Sequence, residues 1–185
     1  SFEAIWENPA NSFSFSPEHK YEEVKLTKAG LGSLLHNQTN MDRNYVSKFA
    51  LVNPPLSLTS PSTITFSLDS VSNNVSVGLC LRSVAVSKNY IFTSSSLDHG
   101  AYMMRWNGKI FSHQNESENE KQSGFTFDSG DVVKVVFDPL QGYFDCKSER
   151  SVIQTIKQEH LHSDDICFAV ALNGYLKPDE VSIEM

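Results

Sequence analysis

The chain is poor in the features that would place it in a special class. Its 185 residues hold no apolar run near the ~18 that a transmembrane helix needs, and no charged-then-apolar leader opens it. Basic residues are outnumbered, 15 Lys and Arg against 22 Asp and Glu, and they do not cluster. A nucleic-acid or anionic-membrane partner is therefore not expected, since either needs a basic footprint. Cysteine is scarce and odd in number. Cys80, Cys146 and Cys167 each sit in an apolar, strand-like run, which speaks against a disulfide framework and for buried thiols in a reducing compartment. The expected location is intracellular and cytoplasmic. Three Asn-x-Ser/Thr sequons, at Asn37, Asn74 and Asn115, point the other way. Catalytic signatures are missing as well: no Gly-x-Ser-x-Gly elbow and no Walker-type phosphate loop.

What is present is an ordinary globular composition, 39% hydrophobic and 20% charged. The length suits one domain over 1–185, with 1–20 as an N-terminal extension packed on it. The start at Ser1 rather than Met is read as the edge of a piece of a longer protein.

Residues 124–147 give the clearest local reading. Phe125 and Phe127 alternate with polar neighbours, and Asp128-Ser129-Gly130-Asp131 is a turn cluster. Val132 to Phe137 is a β-branched run, broken by Asp138-Pro139-Leu140-Gln141-Gly142 before an alternating aromatic segment. Three short strands are expected here. The middle one should be central in a sheet, because only Lys134 interrupts its apolar character.

Elsewhere, Phe13 to Ser16 and Tyr21 to Thr27 read as edge strands, and 28–44 as a long loop with a helical turn near 31–35. Residues 47–52, 62–69 and 75–84 read as strands, with Ile64, Phe66 and Leu68 facing inward. Gly78 in mid-strand predicts a bulge or a close backbone approach. Asn107-Gly108 between two alternating runs is a hairpin signal, placing Tyr102, Met104 and Trp106 on one face. Residues 114–123 read as a solvated loop, and 151–162 fits a short helix as well as a strand. Residues 166–172 are apolar on both faces, hence another central strand. About a dozen short strands separated by turn signals predict an all-β, two-sheet antiparallel sandwich with at most one or two short helical turns.

The residues leave several chemistries open. Glu180 and Glu184 share a strand face, and Asp128 and Asp131 flank a turn, so a glycoside-hydrolysing acid pair is conceivable there. A solvated edge and a strand-ending turn explain both sets equally. His160-x-His162-x-Asp164-Asp165 could approach a metal, or be a polar loop. Neither supports a catalytic residue, a metal or a cofactor, and the chain is read as a non-enzyme. Tyr90, Trp106 and Tyr175 differ from the core-spaced phenylalanines because each lies beside a turn, where such residues dominate interfaces.

Several stretches in the same order resemble a SPRY domain. Val75-Ser76-Val77-Gly78-Leu79 resembles its hydrophobic-Gly-hydrophobic strand. Gly100-Ala101-Tyr102 to Trp106 followed by Gly108 to His113 resembles its aromatic hairpin, and Phe127-Asp128-Ser129-Gly130-Asp131 resembles its Phe-x-x-Gly-Asp element. Phe168-Ala169-Val170-Ala171-Leu172 and Val181-Ser182-Ile183 resemble its closing strands. The similarity runs from about residue 62 to the C-terminus. It departs at Ser148-Glu149, where the family often has Asn-Gly, at Cys167, near the place of an expected Pro, and in a long acidic 151–165 connection.

The resemblance implies a SPRY/concanavalin-like jelly roll that acts as a non-catalytic adaptor or scaffold, its loops gripping a partner protein or extended peptide. Family members occur in ubiquitin-ligase substrate receptors, Ran-binding scaffolds, calcium-release channels and histone-methylation complexes. Carried over position by position, the partner-binding residues would be Tyr90, Leu172, Asn173 and Gly174, with Tyr175, Trp106 and the 32–44 loop alongside. Tyr90 is expected to be a surface anchor that Ala can replace without loss of stability. The domain is expected to act as a monomer within a larger protein. The rival reading is a lectin-like carbohydrate-binding or glycoside-hydrolysing sandwich.

Overall fold

The structure is a computed structural model that describes residues 12–36, 46–72, 74–141, 143–148, 154–157, 165–175 and 177–185. Its strands are β1 Ser14–Lys20, β2 Lys25–Thr27, β3 Gly32–Leu35, β4 Ser47–Asn53, β5 Ser62–Ser70, β6 Ser76–Leu81, β7 Ile91–Phe92, β8 Ala101–Arg105, β9 Lys109–Phe111, β10 Lys121–Gln122, β11 Val132–Asp138, β12 Tyr143–Ser148, β13 Gln154–Lys157, β14 Ile166–Leu172 and β15 Asp179–Ile183. A single α-helix among the described residues, α1, spans Arg82–Ser87, and Lys28–Gly30 forms a 3-10 turn.

The strands form two antiparallel sheets. The first runs β1-β4-β14-β6-β8-β9-β10, with β7 also on β4, and the second runs β13-β12-β11-β5-β15-β3-β2. Strand β14 shows why they stack. Its residues are all buried, and its two faces differ in size. Ile166, Phe168, Val170 and Leu172 point into the inter-sheet core with Phe15, Phe66, Val133, Val135, Phe137 and Val181. Cys167, Ala169 and Ala171 face outward into a second cluster, with Phe49, Met103, Phe92 and Phe111. Small side chains on that face leave room for rings to lie on the sheet: Phe49 and Phe92 stack with centroids 5.0 Å apart. No helix among the described residues is long and apolar enough to cross a membrane.

The two antiparallel sheets of the sequence-based reading are present, and several local expectations change. The 75–84 run is a strand only to Leu81. It then turns into α1, whose first turn is held by Asp165, which accepts from Ser83 N–H and pairs with Arg82 at 3.3 Å. Residues 32–35 form β3, not a helical turn, because Asp179 to Ser182 of β15 offer them a paired edge. Phe125 and Phe127 are buried without being in a strand, so residues 124–147 contain two strands, not three. Strand β11 is central as expected, between β5 and β12. Residues 154–157 are strand β13. The site residue most displaced from expectation is Leu172. It is fully buried in the inter-sheet core, because the alternation that buries Phe168 and Val170 buries it too, and its side chain offers no surface.

Gly78 makes the close approach expected of it. A Cβ there would lie 2.3 Å from the carbonyl oxygen of Tyr102 on the neighbouring strand.

Candidate functional site

The expected site residues fall along one end of the first sheet. Strand β14 leaves the sheet there after Leu172, β4 enters at Ser47, and β6 begins beside it at Ser76. Strand β8 ends there at Arg105, opposite Ser76, and the Trp106 N–H donates to the Val75 carbonyl at 3.0 Å. On the other side of β4, the Phe49 N–H donates to the Tyr90 carbonyl at 2.8 Å. Tyr90, Asn173 and Trp106 thus occupy successive stations across the sheet end. Tyr90 is separated from Asn173 by β4, and Asn173 from Trp106 by β6. With strands about 4.8 Å apart, each such gap is roughly 10 Å.

Tyr90 sits in a strained conformation. Asn89 and Tyr90 have φ of 51° and 60°, a left-handed pair closing α1. For a bulky residue that conformation persists only when its surroundings enforce it, and strain of this kind is a pointer to function. The enforcing bonds are Tyr90 N–H to the Ala85 carbonyl (2.8 Å) and the Phe49 bond just described. The half-buried ring packs against both apolar clusters. Its hydroxyl donates to the Glu18 carbonyl at 3.3 Å and lies 3.2 Å from His19 Nδ1. Burial raises the hydroxyl's pKa, with Arg82 opposing. Tyr90 is therefore partly built into the body of the domain, and substitution by Ala removes packing as well as surface.

The Asn173 loop is rigid for a reason the sequence-based reading missed. Asp179, completely buried, accepts on one oxygen from the backbone N–H groups of Asn173 (2.7 Å) and Gly174 (2.8 Å). It also accepts from Ser72 N–H at 2.7 Å and the Ser72 hydroxyl at 2.9 Å. Only a carboxylate offers enough lone pairs for four donors at once. Gly174, at φ 64°, passes so close to β3 that a Cβ would meet the Leu35 carbonyl oxygen at 2.3 Å. Asn173 is itself buried: its amide reaches the Val46 carbonyl at 3.5 Å and its side-chain oxygen accepts from Tyr175 N–H at 3.1 Å. Asn173 and Gly174 thus shape the loop, and Tyr175 is what the loop shows to solvent, 38% exposed. Trp106 is half-buried against the inter-sheet core.

Three of the four acids in the candidate pairs, Asp128, Asp131 and Glu184, are engaged in turns and strand edges. Asp131 accepts from Asp128 N–H, Asp128 from Ser129 N–H, and Glu184 from the Ser67 hydroxyl. No group of three or more His, Cys, Asp or Glu able to hold a metal occurs among the described residues. The His160, His162 and Asp164 patch, the Asn37 sequon and the 37–44 part of the expected rim lie outside the described residues. A groove of about 860 Å³ beside Leu97, Asp98 and Tyr102 lies at the opposite end of the sheet, where β8 begins.

Comparison with solved structures decides the architecture. The SPRY domain of human HERC1 superposes with a TM-score of 0.69 at 12% identity, covering 91% of this chain and 96% of that one. The TRIM65 PSpry domain does so with a TM-score of 0.64 at 10% identity, covering 100% and 97%. The chain has a SPRY fold. Stonustoxin contains a similar body: TM-score 0.65, 9% identity, 94% of this chain but only 27% of the toxin's. No protein-family profile matches the sequence, and no curated protein does. At such identities the SPRY likeness is one of fold.

Proposed function

We propose that this SPRY-fold domain is a non-catalytic recognition module, binding an extended segment of a partner protein across the end of the first sheet. The observation that carries the reading is Tyr90. A tyrosine is held at positive φ by two backbone hydrogen bonds, at the same sheet end as a loop fixed by a buried carboxylate. Rigid loops bearing aromatic side chains are the usual way a sandwich grips a peptide, because ordering cost is met before binding. Tyr90, Tyr175 and Trp106 supply contact surface, Asn173 and Gly174 set the loop, and Leu172 fixes it from beneath. The module acts as an adaptor or scaffold, as one copy within a larger intracellular protein, and substrate recognition by a ubiquitin ligase is one such setting.

The test is affinity capture from the source cell with the wild type, Tyr175→Ala and Tyr90→Phe, each checked for an unchanged melting temperature. Loss of the same protein from the Tyr175→Ala capture supports the site. Identical captures from all three proteins contradict it.

A further inference from the structure

Arg105 ends β8 on the face opposite Tyr102, Met104 and Trp106, so alternation carries its guanidinium over the outer cluster with Met103. It lies over the Phe111 ring, 4.5 Å from the centroid. Its Nε is enclosed and has no hydrogen-bond partner, and no carboxylate pairs with the guanidinium among the described residues. Burial lowers its pKa and the Glu120 charge opposes that, yet an arginine stays protonated at any physiological pH. One donor of a permanent cation is thus buried without an acceptor, which is unfavourable unless something answers it.

The guanidinium borders a cavity of about 210 Å³, shared with Ser47, Asn74, Thr93, Ser94 and Ser95. No acidic residue lines it. The Ser47 hydroxyl donates to the Asn74 carbonyl at 3.2 Å. Thr93 and Ser95 are exposed and Ser94 half-buried, so their hydroxyls are available as donors at the cavity wall. One planar cation, several hydroxyl donors and no competing carboxylate form the donor set of an oxyanion site. Val46 also lines the cavity, and its carbonyl takes the Asn173 amide, so the cavity adjoins the recognition loop.

We propose that this cavity is a carboxylate subsite, in which the bound partner segment sets an aspartate or glutamate side chain against Arg105. The inference rests on the recognition reading above and adds the chemistry of one partner residue to it. Phe111 orients the planar fork from beneath. The cavity, of about 210 Å³, admits a carboxylate on its short stem.

The experiment follows the Arg105 Nε–H resonance of the whole chain during titration with N-acetyl-aspartate methylamide, N-acetyl-asparagine methylamide and inorganic phosphate. A saturable shift with the aspartate compound, and none with the asparagine compound, is expected. No shift, or equal shifts with both, overturns the proposal. Phosphate saturating at tenfold lower concentration makes the cavity a phosphate site and overturns it too. Arg105→Gln and Arg105→Lys, each with an unchanged melting temperature, are then used in the partner capture, with a drop of tenfold or more expected for both. A capture lost with Tyr175→Ala but kept with Arg105→Gln, together with a silent spectrum, removes the subsite and leaves the recognition site. Carboxylate binding in the spectrum with captures indifferent to Tyr175→Ala does the reverse.

Discussion

One oxygen of the Asp179 carboxylate holds the backbone N–H of Asn173 at 2.7 Å, tying the exit of β14 to the entry of β15. The same carboxylate holds Gly174 N–H and both donors of Ser72. Asp179→Ala leaves these buried donors without an acceptor, and unsatisfied buried donors each cost about 1–3 kcal/mol. A loss of at least ~3 kcal/mol is expected in urea denaturation, with Asp179→Asn intermediate because an amide oxygen accepts fewer bonds. A loss under ~1 kcal/mol for Asp179→Ala would show the loop to be held by other contacts.

Acid should weaken the fold through two histidines. His99 Nδ1 accepts from Ala101 N–H at 3.0 Å, leaving Nε2–H to donate to Asn119 at 2.8 Å, and His113 Nδ1 accepts from Gly100 N–H at 2.8 Å. A proton on either Nδ1 would face a donor. Burial above all lowers the His99 pKa to about 4, with His113 and Lys88 adding to it and Asn119 and Asp98 opposing. His113 is lowered for the same leading reason. Both are depressed below their unfolded value, so the unfolded chain binds protons first. Their contribution is complete above pH ~6.5 and is lost as pH falls toward 4, on the order of 3 kcal/mol for His99. Denaturation at constant ionic strength should show that slope, and His99→Gln should flatten it.

The cysteines should be silent until the chain unfolds. All three are buried. Burial pushes Cys167 up to about 11 and also raises Cys80 and Cys146, so thiolate is scarce at neutral pH. A thiol-exchange reagent should titrate none rapidly in buffer and three in denaturant. Fast reaction of even one thiol in the native protein would contradict the packing described.

Gly78 and Gly130 make a paired test of backbone constraint. Both have positive φ, but a Cβ at Gly78 strikes the Tyr102 carbonyl, whereas one at Gly130 meets nothing within 4 Å. Gly78→Ala should cost roughly 3 kcal/mol or more, and Gly130→Ala about 1. Equal losses would mean that backbone conformation, not the close approach, sets the penalty.

The sandwich was legible because its strands alternate or run apolar without a break, as in Ile64–Phe66–Leu68 and throughout β14. Local geometry was less legible where tertiary pairing overrides local pattern. β3 became a strand because β15 offers it an edge, and Val84 and Ala85 joined a helix because Asp165, more than eighty residues away, caps it. Of the site, the aromatic stations were readable from their places beside turns. Asp179 was not, since a single Asp before a strand looks like a turn residue until its four donors are assembled around it. Arg105 was also hidden: a charged residue in a strand reads as solvent-facing, and only the ring beneath it and the cavity beside it show otherwise.

We propose that a partner binds at the one sheet end that bears Tyr90, Trp106 and the Asn173 loop. A hydrogen-exchange footprint of the captured complex measures this directly. Protection of amides in 46–49, 89–92, 105–107 and 173–175 relative to the free domain is expected. Protection confined to other surfaces, such as 97–100 and 112–119 at the opposite end of the sheet, would contradict it.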